Sequence, residues 1–204
     1  MLSTLVSMII FALIGAISPG PVNIIATGAG ANYGFKRTLP FVMGATIAYT
    51  LVVLLVGLGL NAILEKYPQI THSLQYIGGA FLLYMSYKIA MAKPMNNQTD
   101  NTTSLLTPPS FMHGFLSQSL NPKAWLVSMS GVSLFVSSNS PVLYYLLIFC
   151  MISFSICFIG VATWVIIGQV ISQFLSTEKR QRTFNIVMGL LLSSTVLFIV
   201  TAKL

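Results

Sequence analysis

The sequence has very few charged residues and almost no acidic ones. Only 6% of its 204 residues are charged, whereas soluble domains carry about 25%. Three residues are Asp or Glu against ten Lys or Arg, which gives a formal net charge of +7. Together with 55% hydrophobic residues, this composition excludes an ordinary soluble domain and indicates a membrane protein. The basic residues are scattered in ones and twos, so they form no continuous patch that would bind nucleic acid.

Cysteine and histidine are scarce as well. Cys150 and Cys157 are seven positions apart in an apolar run, so on a helix they lie about 10 Å apart, too far for a disulfide. His72 and His113 fall near opposite helix ends, which makes them poor metal partners. The serine hydroxyls have no buried base to activate them. The sequence therefore predicts no metal site, no cofactor, no thiol-redox centre and no enzyme.

The few charges divide the chain into uncharged intervals long enough to cross a bilayer, which takes about 20 helical residues. The longest interval, 124–177, includes turn residues at 137–141 and divides there. Apolar runs such as 51–56 do not alternate as barrel strands do. The sequence therefore predicts an all-α membrane protein with six spanning helices. Their ranges are about 4–32, 38–61, 68–92, 110–136, 141–171 and 183–203.

Basic residues flank these helices unevenly. Connections one, three and five carry seven of them, whereas the opposite face has only Lys66 and Lys203. The seven are Lys36, Arg37, Lys88, Lys93, Lys179, Arg180 and Arg182. By the positive-inside rule the odd connections are cytoplasmic, so both termini lie outside the cytoplasm. The positive charge is thus a topology signal, and its only further partner is anionic membrane lipid.

One long polar stretch, residues 93–110, separates the chain into two halves of three helices each. The predicted organisation is a first three-helix repeat at 1–92, a cytoplasmic linker at 93–110 and a second three-helix repeat at 111–204, within one membrane domain. Because each half has an odd number of helices, the second must enter the membrane from the opposite side. The two halves are therefore expected to form an inverted repeat.

Each half opens with a helix that is interrupted by proline. Each proline removes a backbone N–H and clashes with the preceding turn. Both interruptions fall near the bilayer midplane, where freed backbone groups are tolerated only against protein or a wet cavity. Kinks that serve packing alone are the alternative, but their pairing favours a substrate site. The candidate substrate-binding or translocation residues are Ser18, Pro19, Gly20, Pro21, Asn23, Asn121, Pro122, Lys123 and Trp125.

Lys123 is the only formal charge placed deep in the membrane, at a cost of roughly 3 kcal/mol on insertion scales. All Asp and Glu residues fall in connections, so its partners are carbonyls, water or an anionic substrate group. The alternative is that Lys123 snorkels or neutralises a freed helix end. Asn23 and Asn121 are equally suited to bind a carboxylate or freed backbone groups. Trp125 either walls a pocket or packs in the core.

Four stretches in combination resemble the LysE/RhtB family of bacterial amino-acid exporters. They are residues 18–21 in helix one, 34–37 with Gly44 after them, 78–84 through Lys88 in helix three, and 121–124 in helix four. The resemblance spans nearly the whole chain. Segments 115–136 and 185–192 look most like the branch that exports cysteine and O-acetylserine.

The resemblance implies a multi-pass carrier of the bacterial inner membrane that expels small amino acids or their derivatives. It also implies an ion gradient as the driving force, with the proton as the expected coupling ion, and a homodimer. A zwitterionic substrate would place its carboxylate at the helix start after Pro122 or against Lys123, and its ammonium against carbonyls released at Pro19 and Pro21. Two alternatives stay open: a non-transporting membrane scaffold or assembly protein, and an efflux carrier for another small solute or cation.

Overall fold

The computed structural model describes residues 2–59, 66, 68–92, 107–175 and 177–201. Its helices are α1 (Leu2–Ile17), α2 (Pro21–Gly57), α3 (Pro68–Ala90), α4 (Phe111–Ser119), α5 (Pro122–Gly131), a π-helix (Val132–Ser137), α6 (Val142–Phe174) and α7 (Glu178–Thr201). The predicted all-helical architecture is confirmed for the described residues. Most of the predicted linker at 93–110 lies outside the described residues, which resume at position 107.

Within the described ranges, two helices are long and apolar enough to cross a bilayer, α2 and α6, and α1 is apolar but has only 16 residues. Large apolar side chains also cover outward-facing surfaces of the bundle. Ile14 of α1 is 66% exposed and Met151 of α6 is 72% exposed. A surface of this kind is unusual in water and normal against lipid.

The long helix α2 consists of two antiparallel segments that join at Gly34. Gly34 has a φ of 73° and a ψ of 173°, a conformation that a residue with a Cβ rarely adopts. Before this turn, the chain runs in the same direction as α6, since Gly30 contacts Val165 and Gly34 lies beside Gln169. After it, the chain runs back along α6, and the end of α2 contacts Leu146. The reversal falls where the sequence predicts the connection between helices one and two.

The structure divides two of the predicted helix ranges, and a third helix begins earlier than predicted. Helix one, expected over 4–32, is divided into α1 and the first segment of α2, because residues 18–20 are not helical. Helix four, expected over 110–136, is divided into α4, α5 and the π-helix. The predicted start of helix six at 183 is wrong, because α7 begins at Glu178. The Glu178 carboxylate in the first turn stabilises the start of α7, so the helix includes the polar residues before position 183.

In the described part of the chain, two pairs of glycines bring helices into backbone contact. Gly30 of α2 faces Gly168 of α6, and Gly44 of α2 faces Gly114 of α4. A Cβ added at any of the four would lie between 2.0 and 2.1 Å from a backbone oxygen of the facing helix. No side chain fits between these helices, so only glycine permits the approach.

Asn32 and Asn185 form a reciprocal pair of buried amides between α2 and α7. Each Nδ2 donates to the Oδ1 of the other, at 2.7 Å from Asn32 and 2.9 Å from Asn185. Asn32 Nδ2 also donates to the carbonyl of Gly28 at 2.7 Å, and Asn185 Nδ2 to that of Ala92 at 3.0 Å. The pair therefore joins α2, α7 and the chain that follows α3.

The glycine contact can be tested by adding a single methyl group. Gly30→Ala is expected to cost about 1–3 kcal/mol, because its Cβ would overlap the Val165 carbonyl oxygen. Gly28→Ala in the same segment is the matched control, since its Cβ would meet the flexible Ile89 side chain, at 3.1 Å or more, and no backbone atom of the facing helix. The control should be neutral or gain up to roughly 1 kcal/mol in helix propensity. Thermal unfolding in detergent measures both, and equal losses would contradict a backbone contact at Gly30.

Candidate functional site

The interruption between α1 and α2 meets the one between α4 and α5 inside the bundle. Lys123, at the start of α5, donates from Nζ to the Ser18 carbonyl oxygen at 2.6 Å. Gly20 makes room for the lysine stem, because a Cβ there would lie 3.1 Å from Lys123 Cδ. The lysine side chain thus connects the second half of the chain to the first.

Side chains bind the carbonyl groups that are left free at the C-terminal end of α1. Asn23 Nδ2 donates to the carbonyls of Ala16 and Ser18 at 2.9 and 3.0 Å. Trp164 Nε1 also donates to the Ala16 carbonyl, at 3.4 Å. Lys123 is therefore one of several donors at this helix end, which is the structural role considered for it from the sequence. Asn23 likewise binds freed backbone carbonyls, which is one of the two roles expected for it.

The N-termini of α2 and α5 differ in how they are capped. Asn121 Oδ1 accepts from the backbone N–H of Lys123 at 3.1 Å and so caps α5. Among the described residues, no side chain caps α2, whose N-cap residue is Gly20. A helix start with free N–H groups favours an anion. The helix start without a side-chain cap is thus that of α2, whereas the start of α5 after Pro122, one of the two places expected for a carboxylate, is capped by Asn121.

A cavity of about 500 Å³, including its open mouth, lies beside this junction. Its wall is largely apolar, and Lys123 is the only charged residue among the described residues that line it. Its other polar side chains are Asn23, Tyr49, Gln118, Asn121, Ser153 and Cys157. A mainly apolar wall with a few convergent polar groups is typical of a small-molecule site.

Five of the nine predicted site residues contribute to this cavity or to its lysine contact. Gly20, Asn23, Asn121 and Lys123 line the cavity. Ser18 does not line it but provides the carbonyl that accepts from Lys123. These residues come from both halves of the chain, which are about one hundred positions apart in sequence.

The other four predicted residues shape the interruptions without lining the cavity. Pro21 and Pro122 are the first residues of α2 and α5, where the missing N–H costs no helical hydrogen bond. Pro19 lies in the interruption and is exposed. Trp125 does not line the cavity but packs against the apolar core, and its Nε1 donates to the Ser119 carbonyl at 2.7 Å. It therefore spans the interruption between α4 and α5.

Four polar lining residues were not among the predictions: Tyr49, Gln118, Ser153 and Cys157. Gln118 could have been found, because it lies one helical turn before Asn121 and accepts from Asn121 Nδ2 at 3.2 Å. The other three lie within the uninterrupted helical stretches of α2 and α6. Neither a charge nor a proline marks those positions, so the sequence carries no signal for them.

Known proteins resemble this chain over nearly its whole length. The LysE type translocator family model matches residues 13–202. The cysteine/O-acetylserine efflux proteins of Salmonella typhi and Escherichia coli (strain K12) are 27% and 28% identical over 184 residues, which is 89% of this chain and 90% of each relative. No solved structure is significantly similar to the chain. Because the family match extends across both interruptions and all the described helices except part of α1, the chain belongs to the LysE type translocator family.

Proposed function

We propose that this protein is a secondary active exporter of small amino acids or their derivatives across the bacterial inner membrane. One observation carries the proposal: Lys123, the uncapped start of α2 and the freed carbonyl of Ser18 converge on one cavity. A zwitterion needs an anion site and a cation site close together, and this junction offers both. The relatives named for cysteine and O-acetylserine efflux support export as the direction and suggest those amino acids as substrates.

In this mechanism the substrate exchanges places with the Lys123 ammonium group. The carboxylate binds Lys123 Nζ and the free N–H groups at the start of α2. As Nζ turns toward the carboxylate, it leaves the Ser18 carbonyl oxygen that it binds in this structure. The substrate ammonium then takes the vacated position at Ser18. Every charged group keeps a hydrogen-bond partner throughout, which matters because an unpaired buried charge is costly.

The proposal includes six spanning helices arranged as two inverted repeats, 1–92 and 111–204. Exchanging the two halves maps helix one onto helix four, two onto five and three onto six. The pairing of helices one and five then corresponds to that of helices four and two, whereas the glycine contacts themselves are not equivalent, because Gly30 follows its interruption and Gly114 precedes its own. The pairing of α3 with α7 maps onto itself. This symmetry in which helices pair supports an inverted repeat.

The proposed orientation places both termini outside the cytoplasm and the odd connections inside it. In support, Lys36 and Arg37 are exposed directly after the Gly34 turn, where they can reach the cytoplasmic headgroups. We assign the driving force to an ion gradient, with Lys123 as the group that releases and rebinds a proton during the cycle. The family resemblance further implies a homodimer.

Uptake into inside-out vesicles tests the function directly. Energised vesicles that contain the protein should accumulate labelled cysteine or O-acetylserine faster than vesicles without it. A protonophore should abolish this accumulation. Accumulation that persists in its presence would contradict proton coupling but would not contradict export. If no small zwitterionic amino acid from a panel is taken up at normal protein levels, the proposal is wrong.

Two substitutions at Lys123 separate its structural role from its role in transport. Lys123→Met keeps the apolar stem and should lower transport roughly 10- to 100-fold, because a charge-assisted hydrogen bond to the substrate is lost. Lys123→Arg keeps the charge but is far harder to deprotonate, so it should bind substrate and turn over slowly. Binding and uptake are measured in the same vesicles. A Met variant that inserts normally and transports at the wild-type rate would exclude Lys123 from the site.

The orientation can be tested by labelling single cysteines on opposite faces of the membrane. Lys36→Cys and Ser138→Cys are both exposed positions, and the background carries Cys150→Ala and Cys157→Ala. A membrane-impermeant maleimide added to spheroplasts should label position 138 and leave position 36 unlabelled until the membrane is permeabilised. The opposite pattern would mean that the protein is inserted the other way round.

A further inference from the structure

Three fully buried serines have hydroxyl groups without a hydrogen-bond partner among the residues that the structure describes. They are Ser117, Ser128 and Ser153, each with 0% of its surface exposed. Leaving a buried hydroxyl unpaired is unfavourable, so each such group calls for an explanation. Of the three, only Ser153 lines the cavity beside Lys123.

The unpaired state of Ser153 is not a general property of hydroxyls on α6. Ser155 Oγ and Thr163 Oγ1, on the same helix, donate to the carbonyls of Met151 and Ile159 at 3.0 and 2.7 Å. Within a helix, the hydroxyl group of a serine or threonine usually finds its hydrogen-bond partner in this way, in a carbonyl of the preceding turn. Ser153 does not make this bond, although the residue lines the cavity.

Ser153 also lies on a different helix from the groups assigned to the substrate's charged ends. Lys123 and the uncapped start of α2 take the carboxylate, and the Ser18 carbonyl takes the ammonium. None of these three groups comes from α6. A small amino acid held at both charged ends therefore has its side chain left to meet another part of the wall, and Ser153 offers the unpaired hydroxyl there.

We infer that Ser153 recognises the side chain of the substrate by hydrogen bonding, an inference that rests on the proposed function. Its hydroxyl hydrogen-bonds an oxygen or sulfur at the γ position, as donor or as acceptor. The cavity thereby selects small amino acids with a γ heteroatom, such as serine, cysteine and O-acetylserine. It discriminates against 2-aminobutyrate, which has a methyl group at that position and leaves the hydroxyl unpaired.

The test compares the uptake of serine with that of 2-aminobutyrate in proteoliposomes. The wild-type protein should favour serine about five- to tenfold, the contribution of roughly one hydrogen bond. Ser153→Ala should bring this ratio close to one, chiefly by slowing serine uptake. Ser117→Ala is the matched control, because it removes an equally buried and unpaired hydroxyl that does not line the cavity. Its ratio should equal that of the wild-type protein.

The outcomes separate this inference from the proposed function. If the wild-type protein transports neither amino acid nor their relatives, the proposed function fails. If it transports them and Ser153→Ala leaves the ratio unchanged, the role of Ser153 is overturned while export stands. Should Ser153→Ala not insert, Ser153→Cys retains the size of the side chain with a weaker donor. That variant must also lower the ratio, and an unchanged ratio overturns the inference.

Discussion

The arrangement of the whole bundle depends on direct backbone contact between helices at the glycine pairs Gly30 with Gly168 and Gly44 with Gly114. In lipid there is little hydrophobic gain when helices associate, so close packing of their surfaces provides the attraction. These contacts fix one segment of α2 against α6 and the other against α4. The start of α2 is thereby held beside the start of α5, and the cavity and its lysine contact follow from that placement.

The sequence identified the site residues whose presence in an apolar helix is energetically unfavourable. Prolines and an intramembrane charge are rare there, so Pro21, Pro122 and Lys123 stood out, and Asn23 and Asn121 were found beside them. Ser153 and Tyr49 gave no signal, because isolated residues of these types are tolerated throughout membrane helices. Their position at the cavity is decided by how α2 and α6 pack, and that information lies in contacts between distant parts of the chain.

Charge proved a better guide to where the chain turns than to where helices end. The reversal at Gly34 lies next to Lys36 and Arg37, as expected from the basic residues. By contrast, the first turn of α7 is charged and helical, although its residues were predicted to form a connection. Long basic side chains can stay in a helix and still reach water, so a charge limits the depth of a residue more than its conformation. Similarly, which helix start is open depends on the side chain of Asn121, a detail that composition does not encode.

The buried amides of Asn32 and Asn185 bear on how such a bundle can move. Their hydrogen bonds join α2, α7 and the chain after α3 in an apolar surrounding, where each amide would be left unpaired if they separated. At the cavity, Lys123 Nζ binds the Ser18 carbonyl, Trp164 binds that of Ala16, and Phe11 of α1 packs against Phe135. A rearrangement of the bundle that keeps these amides paired must therefore move α2, α7 and the chain after α3 together.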